Sequence, residues 1–174
     1  MLFRSQLGAY RAMGEEIWRQ TGGRVDAYVQ SVGTAASVRG VAECLRGKSP
    51  QIHITAVEPS ESAVLSGGET GVHGIEGVGA GFVVPLWEPG TVDEVATVST
   101  GEVKDMARRL ATTEGLFAGT STGANLVAAL AVAERLGPDA SVVTLMCDSG
   151  IKYLSTDLYQ GGEGHVHDAL EAAS

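Results

Sequence analysis

Three short segments bring together residue types that can bind anions or rings, or do acyl chemistry. The first is Gly33-Thr34-Ala35-Ala36-Ser37, set between an apolar run and a helical stretch. Backbone N–H groups at a helix start carry partial positive charge and hold a phosphate without a cationic side chain. Thr34 and Ser37 can add hydroxyl donors. No lysine follows the glycine, so this is not a nucleoside-triphosphate loop. The plain alternative is a strand-to-helix turn capped by Ser or Thr. The second segment is Gly119-Thr120-Ser121-Thr122-Gly123, which fits the G-x-S-x-G pattern of a nucleophile elbow. The third is Asp148-Ser149-Gly150, just after the last apolar run. A hydroxyl there can hydrogen-bond a ring nitrogen. A neutral partner would leave a pyridine nitrogen largely unprotonated and suit β-elimination and replacement better than transamination. A helix cap is the plain alternative.

The elbow pattern opens a rival function, an α/β hydrolase with Ser121 as nucleophile. Asp148 or Asp157, then His165 or His167, follow in the chain order such enzymes use. Against this, 174 residues are few for that fold, no oxyanion-hole motif precedes the serine, and 24 glycines make the pattern easy to meet. Glu163, His165, His167 and Asp168 in the tail could gather a metal, but without defined spacing or a nearby cysteine they read as a solvated terminus, and no metal is expected.

These segments need elements to position them, and the chain alternates short apolar strands with helical stretches. A first helix ends at Gln20, stopped by Gly22-Gly23. Strands are expected at 26–32, 52–57, 81–85, 94–98, 116–118 and 141–146. Helices are expected at 36–46, from a Ser99/Glu102 capping box to Thr113, and at 121–136. The stretch 60–79 is Gly-rich, too long for an ordinary connection, and a candidate functional loop. This alternation predicts an α/β fold, a three-layer αβα sandwich with a mostly parallel sheet. Ligands of such sheets bind at the carboxyl ends of the strands, where all three segments fall.

Composition narrows the partners. The net charge of −9 argues against nucleic acid, which needs clustered Lys and Arg. The longest apolar run, Leu126 to Ala133, is too short to span a bilayer. Cys44 and Cys147 form no disulfide framework, so they read as two core thiols of a chain suited to the cytoplasm.

Read together, the motifs resemble one family. Asp26-Ala27-Tyr28-Val29 leading into Gly33 to Ser37 resembles the phosphate-loop strand of the cysteine synthase and cystathionine β-synthase family, the fold-type-II pyridoxal-phosphate (PLP) enzymes, where the loop usually reads G-T-G-G-T. Ala56-Val57-Glu58-Pro59, Ser62 to Gly68 and Ile75-Glu76-Gly77-Val78-Gly79-Ala80-Gly81-Phe82 continue it, the last resembling I-x-G-I-G-A-G-F. Glu114 to Gly123 resembles E-G-I-x-x-G-x-S-x-G, and Asp148-Ser149-Gly150 with Tyr153 to Leu158 resembles the D-S-G-x-x-Y-L-S-T ending. The likeness runs from about Gly8 to Tyr159.

The resemblance implies PLP as cofactor and β-replacement on an O-activated serine to make cysteine, with a small amino-acid substrate. It implies a PLP-binding domain over residues 1–160 and a polar tail over 161–174. Gly33, Thr34, Ala35, Ala36 and Ser37 would hold the phosphate and Ser149 the pyridine nitrogen. Gly77, Gly79, Ala80 and Gly81 would line the substrate side. Gly119 and Ser121 would shape the wall. Two departures stand out. Ala35-Ala36 replaces Gly-Gly, which strains any position needing φ > 0. The family's amino-terminal half, with its Schiff-base lysine, has no counterpart, and Lys48, Lys104 and Lys152 do not sit at its position. Lys48 and Lys104 are expected to be solvated. The expectation is a chain inactive alone, working as a homo-oligomer or with a complementary amino-terminal half. A non-catalytic binding or assembly module is the remaining alternative.

Overall fold

The computed structural model describes residues 2–160. The tail, with its Glu163, His165, His167 and Asp168 grouping and the two histidines of the hydrolase alternative, lies outside the described residues. Four parallel strands form one sheet: β1 (Ala27–Ser31), β2 (His53–Pro59), β3 (Glu94–Val98) and β4 (Val142–Thr144), in the order β3-β2-β1-β4. The helices are α1 (Leu2–Gln20), α2 (Ala36–Lys48), α3 (Thr100–Glu114), α4 (Thr120–Leu136) and the short α5 (Asp157–Gln160). None of the described helices is long and apolar enough to cross a membrane.

The two-residue period of β1 and β2 decides which helices cover which face. Tyr28, Ile54 and Ala56 point to a core shared with Ile17 of α1 and with Val38, Val41 and Leu45 of α2. Ala27, Val29 and Val57 point the other way, onto Val103 of α3 and Ala124, Ala128 and Val132 of α4. Both faces are buried, as the near-continuous apolar runs require. Small residues let α1 approach α2: a side chain on Gly14 would meet Cys44 Cβ at 2.6 Å, and one on Gly40 would meet Tyr10 Cβ at 2.6 Å. This seats Tyr10 at the sheet's carboxyl end.

The chain runs from β1 outward through β2 to β3, then returns through α3 and α4 to place β4 on the other side of β1. The reversal leaves a crevice between the carboxyl ends of β1 and β4. Open α/β sheets bind ligands at such a switch point. The turn 33–35 follows β1, and Cys147 and Asp148 follow β4, so both line it.

Several expected elements differ. The stretch 81–85 is a turn-rich loop, with Phe82 and Val83 60% and 58% exposed. Gly79 and Gly81 have positive φ, which interrupts an extended chain. Residues 116–118 make a single antiparallel bridge, Ala118 to Ser149. Gly115 closes α3 with φ 69° and α4 starts at Thr120, so only Leu116 to Gly119 lie between the two helices. The last strand is confined to Val142–Thr144, while β2 extends through Glu58 to Pro59. The Ser99/Glu102 capping box is present in full. The long loop is anchored by buried Glu58, whose carboxylate accepts from Leu65 N (2.8 Å), Ser66 N (2.9 Å) and Ser66 Oγ (2.6 Å). Cys147 is exposed and Cys44 half-buried, so they are not the two core thiols expected.

Candidate active site

The crevice is a cleft of about 520 Å³, within the range of about 300–1,000 Å³ usual for small-molecule sites. It brings together Gly33, Thr34 and Ser37 from the first segment, Gly77 from the long loop, Ser121 from the second segment and Asp148 from the third. Tyr10, Gln30, Glu76, Cys147, Lys152 and Tyr153 complete the lining.

The loop before α2 has the form of an anion cradle. Helix α2 begins with no side-chain cap. Among the described residues, the amides of Gly33, Thr34, Ala35, Ser37 and Val38 have no protein partner, and Ala36 N reaches Thr34 Oγ1 only at 3.4 Å. A run of unpaired N–H groups at a helix start, opening on a polar cleft, suits a phosphate dianion. The turn is bought with strain: Ala35 sits at φ 66°, ψ −1°, the left-handed region that a methyl group disfavours by about 1–2 kcal/mol. It is the only non-glycine residue with positive φ among those described. The strain expected from Ala-Ala therefore falls on Ala35 and not on Ala36, which is already helical. Gly33 is needed for a different reason: a Cβ there would lie 2.6 Å from Gly77 O, where the two loops touch.

The second segment has a structural reading at every position. A Cβ on Gly119 would lie 2.2 Å from Asp148 Oδ1 and 2.3 Å from the Tyr153 ring, so Gly119 packs beneath the site wall and does not line the cleft. Thr120 Oγ1 accepts from Glu76 N at 3.0 Å and Thr122 Oγ1 accepts from Cys147 N at 3.0 Å. A Cβ on Gly123 would meet Val103 O at 2.3 Å. Ser121 lines the cleft from the first turn of α4, with no hydrogen bond to a histidine among the described residues. Asp148 Oδ2 accepts from Lys152 Nζ (3.0 Å) and Tyr153 OH (2.9 Å), so it orients no histidine either.

Ser149 follows Asp148 directly and is exposed, and it is not among the residues that line the cleft. Its hydroxyl accepts from Ile151 N at 3.3 Å, which leaves its own proton free to donate. The glycine-rich loop divides. Gly77 faces the cleft, while Ala80 lines an adjoining apolar groove of about 510 Å³ with Phe82, Val84 and Leu86. Gly79 packs on Pro59 and His73 and donates to Val32 O at 3.1 Å, and Gly81 packs on Thr70.

No lining group is primed to attack. Asp148 beside Lys152 pushes its ammonium pKa up, burial and the Asp148 hydrogen bond push Tyr153 up to about 12, and desolvation of the Cys147 sulfur, part-buried against Asn125 although the residue as a whole is exposed, pushes its thiol up. Lys48 is held protonated in the same way by Glu15. Lys104 is not solvated as expected: it is 19% exposed and paired with Asp157 at 2.5 Å.

Gln30 and Asn125 were not apparent as site residues in the sequence. Asn125, fully buried, accepts from Ser31 N at 2.6 Å and donates to Leu145 O at 2.8 Å. It ties the carboxyl end of β1 to the chain leaving β4 and so sets the width of the crevice. An amide on the apolar face of an Ala-rich helix, and a Gln inside an apolar strand, are the sequence signals that point to them.

A parallel α/β domain with an uncapped helix start opening on a cleft at its switch point has the form of a site for a phosphorylated small molecule. Residues 6–148 match the family described as pyridoxal-phosphate dependent enzyme, and the chain belongs to it. Cysteine synthase from Staphylococcus aureus is 41% identical over 147 residues, 84% of this chain and 47% of the relative. Among solved structures, cysteine synthase from Entamoeba histolytica superimposes with TM-score 0.86 at 41% identity, covering 89% of this chain and 46% of that one. The O-acetylserine dependent cystathionine β-synthase from Helicobacter pylori gives 0.84 at 36%, covering 88% and 50%. The chain thus spans about half the length of the curated relatives it matches. The cofactor of this family is PLP, a phosphate monoester on a pyridine ring, and the cradle and cleft fit both parts.

Proposed function

We propose that this chain supplies the cofactor-holding part of a PLP-dependent β-replacement enzyme that makes cysteine from an O-activated serine. The observation that carries the reading is that Gly33, Thr34 and Ser37, whose amides have no protein partner among the described residues, line the same cleft as Gly77 and Asp148. PLP, when bound, supplies an electron sink that labilises the bonds around the substrate's α-carbon.

This chain's residues then have separable tasks. The amides of the Gly33–Ser37 turn, with the Thr34 and Ser37 hydroxyls, hold the phosphate and so fix the ring's position. Ser149, next in sequence to the cleft-lining Asp148, would donate a hydrogen bond to the pyridine nitrogen without protonating it, leaving that nitrogen uncharged. The neighbouring carboxylate, Asp148, is occupied by Lys152 and Tyr153 and does not compete for the role. Gly77, with Gly79 held to Val32 O, gives a side-chain-free wall against which a flat ring can lie. Ser121 shapes the wall, and Gly119 lets Asp148 and Tyr153 pack close behind it.

Proton transfer at the substrate needs a basic amine, and Lys48, Lys104 and Lys152 are each held in an ion pair. The catalytic lysine therefore comes from a complementary polypeptide segment corresponding to the half of the relatives outside this match. The test is to assay β-replacement on O-acetylserine with sulfide, using the 174-residue chain alone and then mixed with the amino-terminal half of a relative. Activity in the mixture, absent from either part, is expected. Full turnover by the chain alone refutes the division of labour.

A further inference from the structure

Ser37 ends a three-residue chain of polar groups whose other two members, Tyr28 and Gln30, the proposed function does not use. Tyr28 is fully buried, and among the described residues its hydroxyl meets one partner, Gln30 Oε1. Gln30 Nε2 reaches Ser37 Oγ at 2.6 Å. Buried hydroxyl protons are costly to leave unpaired, so Tyr28 must donate, and burial pushes its pKa further up. That decides which way the Gln30 amide faces: its oxygen toward Tyr28, its NH2 toward Ser37. Ser37 Oγ then accepts, and its single proton is free for the cleft it lines.

Resting on the phosphate reading of that cleft, we propose that Tyr28 and Gln30 are positioning residues that fix the Ser37 hydroxyl as a donor aimed at the cofactor's phosphate. The cradle becomes all-donor: amides and a hydroxyl whose polarity is set from the core. Without Tyr28 the amide is free to turn its oxygen to Ser37 and draw the proton away from the ligand.

The experiment titrates the full chain with PLP by fluorescence, with inorganic phosphate as competitor and unphosphorylated pyridoxal as control. Ser37→Ala is expected to weaken PLP and phosphate about tenfold, the loss of one hydrogen bond to a charged group, and to leave pyridoxal unchanged. Tyr28→Phe is expected to do nearly the same, although Tyr28 itself does not line the cleft. In a Ser37→Ala background Tyr28→Phe should add nothing. Tyr28→Phe with Gln30→Leu, which removes the whole relay, should return binding to within about twofold of the native chain, because Ser37 is again free to donate. A merely structural role predicts the opposite order, with the double variant worst. Should Tyr28→Phe not fold, Gln30→Glu reads the same point: its carboxylate takes the Ser37 proton, and at least about a tenfold loss is expected. Native-like PLP binding by folded Tyr28→Phe or by Gln30→Glu, alongside weakened Ser37→Ala, overturns the relay alone. A native chain that binds neither PLP nor phosphate overturns the cradle and the relay together.

Discussion

Placing a methyl group on Gly33 tests whether the site depends on the contact between its two loops. In Gly33→Ala the new Cβ would stand 2.6 Å from Gly77 O, about 0.8 Å inside ordinary contact, and the obstacle is backbone that no side-chain rotation can clear. The loops must separate. Relieving such overpacking costs about 1–3 kcal/mol. Separation also stretches the Gly79 N–Val32 O bond, now 3.1 Å, beyond useful length, at about 1 kcal/mol. The expected destabilisation is about 2–4 kcal/mol, read as a lowered urea midpoint at unchanged slope. Because Gly77 lines the cleft proposed to hold the cofactor, PLP affinity should fall more steeply than stability alone explains. A variant within about 0.5 kcal/mol of the native chain, with PLP binding intact, would refute the reasoning, since it would mean the loops do not meet at Gly33.

Three further perturbations probe the frame around the site. Asn125→Ala leaves Ser31 N and Leu145 O without their partner in a buried setting, and should destabilise by about 2–4 kcal/mol in denaturant melts while widening the cleft. At Ala35 two effects oppose in Ala35→Gly, release of about 1–2 kcal/mol of left-handed strain against lost methyl burial and added chain entropy, so stability should change by less than about 1 kcal/mol. Ala35→Val, branched and buried at positive φ, should cost at least about 2 kcal/mol in the same melts. At the opposite end of the sheet, burial alone would raise the carboxyls of Asp93 and Glu94. The Ile54 amide and Arg46 on the first, and Arg135 and Thr55 on the second, outweigh it and hold both low. A depressed carboxylate stabilises above its unfolded pKa, here the ordinary 3.8 and 4.5, and loses that contribution as pH falls through the folded value. Thermal midpoints should therefore be flat above about pH 5 and drop below it, and Asp93→Asn with Glu94→Gln should flatten the drop.

The architecture was legible where periodicity and punctuation agreed. Tyr28 and Val29 inside a short apolar run and the Ser99/Glu102 box each announced an element that is present. Legibility failed where an apolar run was punctuated by glycines. The residues 81–85 are apolar enough for a strand, but Gly79 and Gly81 at positive φ turn the chain out of the sheet. Ala118 keeps a single bridge because two helices claim the residues on either side. At the site, motif order was enough to bring Gly33, Ser37, Gly77 and Ser121 to one cleft. What could not be read was three-dimensional pairing: Gln30 to Tyr28 and Ser37, Asn125 across two strand ends, and Asp148 folded back on Lys152 and Tyr153. These pairings join residues whose types look ordinary until the sheet closes. The burial of Lys104 against Asp157 was missed for the same reason.

The central claim, a chain that holds PLP through its phosphate and supplies no lysine of its own to it, is tested most directly by one titration. The 174-residue chain is titrated with PLP, reduced with borohydride, and its intact mass measured. Saturable binding, competed by inorganic phosphate, is expected, with no covalent adduct at a defined lysine after reduction. A stoichiometric adduct on Lys152, or no saturable binding at all, would contradict it.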